Sequence, residues 1–402
     1  MLGALAALPA LTTDMYLPSL PTVEADLQTT QTAVQLTLSG TLVGAGIGQL
    51  VIGPFSDRFG RRLPLVIGIS LHVIISLLCS MTPNIETLTG LRVLQGFFNA
   101  AAAVVALAVI RDRFVGSAAA QLLSRLMLVI GVAPLLAPTA GQAIAGFWNW
   151  RAVFYALALI GVVLVAIVFK YMPETLPEDR RSPGHPRHVA GAYWSLLRDK
   201  HFMALAVIPG LGLALIMSYV VGSPFVFQNE YGLTAQQFAL VFALNGAALV
   251  LSAQLNAALV RKFPPVRLLR VALLLQLGLA LLLLVVVLTG TGGPFGLTAG
   301  LWLVLSAQGM IPANASVLAL QNYGHMAGTA AAVIGALQSG VAGLVSPLVG
   351  VLGGNALSMA SVMIGSCALA VFVLAVGTPA YRKGSWPEEA ERGDDQRTSA
   401  DS

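Results

Sequence analysis

Charge is what this chain has least of. Lys and Arg number 22 and Asp and Glu 17, so only 10% of its 402 residues are charged, where a soluble domain carries about 25%. With 57% hydrophobic residues and a mean hydropathy of +0.82, such a chain cannot solvate its own surface, and a lipid bilayer must cover it. Cysteine is nearly absent. Cys79 and Cys367 stand singly in apolar stretches, which excludes a disulfide framework and a thiolate metal site. His72 and His325 are equally isolated, so no metal is expected. No phosphate-cradling loop is found. Gly44-Ala45-Gly46-Ile47-Gly48 lies inside an apolar run without the strand–helix context that a nucleotide fingerprint needs. No nucleophile–base pair or carboxylate pair occurs in the apolar runs, which argues against an enzyme. The first run lacks the basic flank and small-residue cleavage site of a signal peptide. It begins at Met1 with no polar lead-in, so a natural start further upstream is expected.

What is present is long apolar runs. A spanning helix needs about 20 mostly apolar residues, and twelve such runs occur. They cover roughly 2–21, 33–53, 64–82, 86–110, 121–146, 151–172, 202–228, 235–260, 268–289, 295–319, 327–352 and 356–378. The expected fold is an all-α membrane protein of 12 transmembrane helices in two six-helix bundles. Residues 1–172 form the first bundle, 173–200 a linker rich in charge, Pro and Gly, and 201–378 the second bundle. The polar stretch 379–402 is a disordered tail by composition. Six spans, a charged linker and six more is a transporter-like repeat, with the substrate site expected near the midplane between the halves. A degenerate internal echo supports this: Gly53–Arg62 after the second run and Val260–Arg267 after the eighth are both basic.

The basic residues also set orientation. Arg58, Arg61, Arg62, Arg111, Arg113, Arg125, Arg261, Lys262, Arg267 and Arg270 fall on one side with the linker and the tail. The other side carries Glu24, Asp26, Glu86 and Glu230, with Arg151 as its one basic residue. Positive loops face the cytoplasm, which places both termini there. The pI of about 9.4 therefore reflects topology and implies no nucleic-acid partner.

Against this background the stretch Leu11-Thr12-Thr13-Asp14-Met15-Tyr16-Leu17-Pro18 stands out. Asp14 is the one acid within the spans, and an intramembrane carboxylate is a functional candidate by default. Arg92 is the second buried charge. Gln95 and Asn99 follow it at i+3 and i+7, on the same helical face. Counted from the ends of their runs, Asp14 and Arg92 both lie about 9 Å below one surface, so a meeting of the two, direct or through water, is expected. A static ion pair and a proton-coupling pair both fit. Tyr16, Gln35, Gln95, Asn99, Asn245 and Gln308 are the polar candidates for lining a substrate cavity, and Phe225, Phe227 and Phe242 add aromatic surface. Pro134 and Pro138 disrupt the backbone ladder of the fifth run between Gly131 and Gly141. That stretch reads either as gating machinery or as a rigid kink.

These motifs resemble the major facilitator superfamily over essentially the whole chain. Gly53-Pro54-Phe55-Ser56-Asp57-Arg58-Phe59-Gly60-Arg61-Arg62 is similar to its G-x-x-x-D-R-x-G-R-[RK] motif. The resemblance implies that this motif, with Asp57 and Arg58 foremost, holds the cytoplasmic side closed. Leu91–Gly96 resembles the motif whose arginine, here Arg92, is implicated in proton coupling. Gly131, Pro134, Pro138 and Gly141 resemble the helix-5 antiporter motif, with a second proline where glycine is more typical. Asp14–Pro18, Pro173–Leu176, Ser223–Val226, Phe242–Asn245 and His325–Ala330 further resemble the Bcr/CflA drug-resistance family. That resemblance implies a drug:proton antiporter of a bacterial inner membrane. It would export small amphiphilic drugs of bicyclomycin or phenicol type by alternating access, driven by the proton gradient without a cofactor, as a monomer. Export of an endogenous metabolite or amino acid on the same fold, and a transporter-like receptor that binds without transport, remain open.

Overall fold

The structure, a computed structural model, describes residues 1–114, 116–181 and 186–378. The expected tail 379–402 and part of the linker lie outside them. Among the described residues all regular structure is helical. The helices are α1 (Leu2–Asp14), α2 (Leu20–Asp26), α3 (Gln31–Phe59), α4 (Arg62–Ser80), α5 (Ile85–Arg113), α6 (Gly116–Phe147), α7 (Arg151–Tyr171) and α8 (Pro186–Arg198). They continue with α9 (Lys200–Phe225), α10 (Ala235–Leu259), α11 (Pro265–Thr289), α12 (Gly293–Gln308), α13 (Ile311–Leu320), α14 (Ala327–Val345), α15 (Leu348–Val351) and α16 (Ala356–Gly377). Among the described residues, ten helical segments are long and apolar enough to cross a membrane. The molecule is an all-α, multi-pass membrane protein.

Helix starts follow local chemistry. Thr30, Asn84, Asp199, Thr234 and Asn355 each accept hydrogen bonds from backbone N–H groups one turn on, satisfying donors that a helix start leaves open. Two features depart from the sequence-based expectation. The motif Gly53–Arg62 is not a loop: α3 carries it as helix to Phe59. Only Gly60 and Arg61 separate α3 from α4, and Gly60 makes the corner with φ +89°, a conformation open to glycine at little cost. The linker is not wholly irregular either. It contains α8, which buries Leu196 while Trp194 stays exposed, and whose Tyr193 hydroxyl donates to the Leu50 carbonyl at 3.0 Å.

Packing positions the site. α3 lies against α5 and also against α14; α1 lies between α5 and α6; α6 touches α10; α9 packs on α14 and α16. α3 meets α5 at near backbone contact, because a Cβ on Gly44 would stand 1.9 Å from the Val93 carbonyl oxygen. A seam of polar contacts joins α3 to the second half of the chain. Gln31 donates to the Gly354 carbonyl (3.0 Å), Gln35 to the Val221 carbonyl (3.4 Å) and Gln49 to Ser339 (3.2 Å), while Ser39 and Ser346 share a bond at 3.1 Å. One buried apolar cluster includes Tyr16, Leu17 and Leu20 from the first half and Tyr219, Phe225, Phe227 and Phe238 from the second.

Candidate functional site

Asp14 sits where α1 stops, and proline explains the stop. In a continuous helix the Asp14 carbonyl would accept the N–H of residue 18, but Pro18 has none. The chain turns at Met15–Tyr16, makes a 3₁₀ turn over Leu17–Ser19 and resumes as α2. Thr12 and Thr13 return their hydroxyls to the Leu8 and Pro9 carbonyls at 2.7 and 3.0 Å, so neither serves the carboxylate. Asp14 is 6% exposed. Among the described residues it takes part in no ion pair.

Arg92 is fully buried and does not meet Asp14. Its Nη1 donates to the Thr12 carbonyl at 3.1 Å and to Gln95 Oε1 at 2.6 Å. Its guanidinium lies 5.2 Å from the centre of the Tyr16 ring and 5.7 Å from that of Phe154. Nε and Nη2 have no partner. The expected direct meeting is thus absent, for a geometric reason. At 3.6 residues per turn, Thr12 and Tyr16 share a face of α1, and Asp14 points about half a turn away from it. Equal depth placed the two charges at one level but said nothing of azimuth.

The other candidates divide. Gln95 is held between Arg92 and Ser76, and Asn99 is buried with its Oδ1 unpartnered. Tyr16 packs under Arg92 and its hydroxyl is unpartnered. Gln35 belongs to the α3 seam. Gln308 accepts from Gln276 at 2.6 Å. Asn245 donates to the Tyr219 hydroxyl at 3.3 Å, and the Tyr219 ring stacks on Phe242 at 5.5 Å between centres. Asn245 Oδ1 and the nearby Ser223 Oγ are buried without partners. Tyr219 was not singled out from sequence, and Ser223 only as the start of the Ser223–Val226 resemblance, because a tyrosine and a serine in an apolar run carry no sign of a site until α10 is placed beside α9.

In the α6 motif both prolines lie inside the helix. Gly141 faces α1: a Cβ there would stand 1.9 Å from the carbonyl oxygen of Met15, the residue after Asp14. Gly131 faces α10, with Val250 as its nearest neighbour at 3.8 Å.

At the basic end of the molecule Arg61, rather than Arg58, does the bridging. Its Nη1 reaches Asp57 Oδ1 at 2.5 Å and Ser56 Oγ at 2.8 Å, and its Nε reaches Asp112 Oδ2 on α5 at 2.8 Å. Arg58 is exposed and lies over the Phe59 ring, and Arg62 donates to the Phe169 carbonyl at 2.6 Å. Gly53 has open space around it. Glu174 closes the corner by accepting the backbone N–H groups of Arg61 (2.8 Å), Arg62 (3.1 Å), Thr175 (2.8 Å) and Leu176 (3.0 Å). Burial pushes its pKa up, but these four donors outweigh it and hold the carboxyl below its ordinary value of 4.5. A depressed folded-state pKa contributes stability above the unfolded value, and that contribution is lost as pH falls through the folded value. Glu174→Gln should therefore lower stability by about 1 kcal/mol near neutrality. In melts run across pH, its deficit against the parent protein should vanish in acid. At the opposite end Arg151 (2.5 Å) and the Trp150 indole N–H (2.9 Å) bind Asp26 and hold its carboxyl below the usual range.

Among the described residues no group of three metal-ligating side chains occurs. A profile of the Major Facilitator Superfamily matches residues 2–347. An uncharacterized MFS-type transporter, YdgK of Bacillus subtilis, is 38% identical over 366 residues, covering 90% of each chain. A bicyclomycin resistance protein homolog of Haemophilus influenzae is 31% identical over 348 residues, covering 87% of each. Among solved structures, the xylose transporter XylE from E. coli in a partially occluded inward-open conformation aligns with TM-score 0.73 at 15% identity. That alignment covers 93% of this chain and 95% of the other, a likeness of fold.

Proposed function

The chain belongs to the major facilitator superfamily and is a membrane transporter, not an enzyme, and from that premise we propose that it exports small amphiphilic drugs in exchange for protons. The carrying observation is Asp14: a buried carboxylate without an ion pair, at a break in α1. Arg92 lies behind the same turn with two open donors. A carboxylate so placed can take up a proton from one side and lose it to the other as access alternates. In a conformation that brings Arg92 closer to Asp14 than this one does, its charge would favour the proton-free state. One charge moved down 100 mV supplies about 2.3 kcal/mol, equal to about a fifty-fold drug gradient. Resistance-type relatives support the drug assignment by the name of the Haemophilus protein.

In this proposal residues 1–172 and 201–378 are two six-helix bundles, giving twelve spans. They are joined by the linker 173–200 in a bacterial inner membrane, with both termini cytoplasmic. The α3 seam holds the bundles' relative positions between steps, while the Asp57–Arg61–Asp112 cluster braces α3 against α5 within the first bundle. The Tyr219–Phe242–Asn245 group, with the unpartnered Ser223, meets the aromatic and hydrogen-bonding parts of the drug. The protein works as a monomer without a cofactor.

The test is proton release from the purified protein on addition of a phenicol, bicyclomycin or a lipophilic cation. Release that saturates with one of these compounds is expected. Saturable binding of a compound with no proton released would sink the exchange mechanism.

A further inference from the structure

Behind Arg92 lies a buried chain of hydrogen bonds that runs from Ser76 through Gln95 to the guanidinium. His72 and Ser76 stand one turn apart on α4, both with zero exposure. Ser76 Oγ donates its single proton to the His72 carbonyl at 2.7 Å. Towards Gln95 it can then only accept, and Gln95 Nε2 lies 2.7 Å away. A serine that can only accept fixes the sense of the glutamine amide. The amide oxygen must turn to α5, where it takes Arg92 Nη1 at 2.6 Å. His72 Nε2 is 3.5 Å from the same Ser76 oxygen. The histidine ring backs the serine at this distance, and its Nδ1 has no partner. The polarity thus runs from the serine hydroxyl to the guanidinium.

We propose that Ser76, backed by His72, is a positioning residue for Arg92. Through Gln95 it holds Nη1 engaged and keeps Nε and Nη2 turned out, open to an acceptor that arrives during the transport cycle. Two adjacent N–H groups of a guanidinium form the fork that a carboxylate fits, and no such acceptor is present in this conformation. Without the Ser76 hydroxyl, Gln95 is free to reverse its amide and present its NH2 group to the arginine. The guanidinium must then rotate, and the fork turns with it. The functional part of this inference rests on Arg92 taking part in proton exchange.

The experiment uses full-length protein carrying ¹⁵N-labelled arginine in lipid nanodiscs, with the Arg92 signals identified by their loss in Arg92→Gln. Ser76→Ala is expected to shift the Arg92 Nε and Nη signals. It should also lower drug-linked proton release about tenfold, as displacement of a coupling group does, while leaving the melting temperature within a few degrees. Ser76→Thr, which keeps the hydroxyl, should restore both. Unchanged Arg92 signals in Ser76→Ala would overturn the inference. Shifted signals with undiminished release would overturn it too, by making the chain scaffold only. Shifted signals in a protein whose parent releases no protons would keep the positioning and refute the drug–proton exchange instead.

Discussion

Asp14→Asn is expected to insert and fold normally, yet to reduce drug-linked proton release about a hundredfold or more, to background. The side chain keeps its shape and its hydrogen-bonding capacity and loses only the ability to carry a proton. Stability should hold or rise. The wild-type carboxylate is buried without an ion pair, and an uncompensated buried charge costs several kcal/mol unless it stays protonated. Asp14→Glu, which keeps the titrating group, should retain measurable release with an altered pH profile. Drug binding measured by thermal shift should survive in Asp14→Asn. Release at the wild-type rate from the asparagine variant would move the proton site elsewhere.

Gly141→Ala is expected to have the second largest effect, and to act through the same turn. One methyl there would overlap the Met15 carbonyl. Backbone cannot step aside as a flexible side chain can, so α6 must move off α1 or the turn after Asp14 must shift. Overpacking of this kind costs about 1–3 kcal/mol, and the displacement should cut exchange more than tenfold. Gly131→Ala is the internal control. It belongs to the same motif and the same helix, but its new methyl meets Val250 at ordinary contact distance. Its stability should stay within about 0.5 kcal/mol of the parent. Melts and proton-release assays on the two variants decide between a gating role for the whole motif and a single steric requirement at Gly141. Equal damage from both would refute the steric account.

Run length and charge scarcity made the all-α, multi-pass character and the two buried charges legible, although the sequence has twelve such runs where ten helical segments among the described residues are long and apolar enough to span. A lone acid or arginine in hydrocarbon is conspicuous whatever the fold. What sequence could not supply was azimuth and partnership. Asp14 and Arg92 count to one depth yet face apart, because Asp14 lies about half a turn round α1 from the face that meets Arg92. The motif's three arginines look equivalent as letters, and only the Gly60 corner turns Arg61 inward between Asp57 and Asp112. Two of the four amides that Glu174 binds, those of Arg61 and Arg62, are more than a hundred residues away, so its role at the corner appears only when α7 and α4 are side by side. His72 looked isolated for the same reason: the residues that give it meaning are a serine one turn away and a glutamine on another helix. The helix α8 was hidden by the charge, Pro and Gly around it, although Tyr193 and Leu196 form an inward face three residues apart.

The two thiols, first of interest for what they exclude, have a practical bearing on how such a cycle can be watched. Cys79 and Cys367 are free and buried, with 0% and 2% exposure, inside α4 and α16. Polar maleimides and nitroxide reagents find no native target, so the parent protein is already a silent background for labelling. A pair of cysteines set on either side of the cleft between α6 and α10, one near Phe147 and one near Gln236, would carry the only reporters in the molecule. Distances between them could be followed through drug addition and pH jumps with every native residue of the transport path in place.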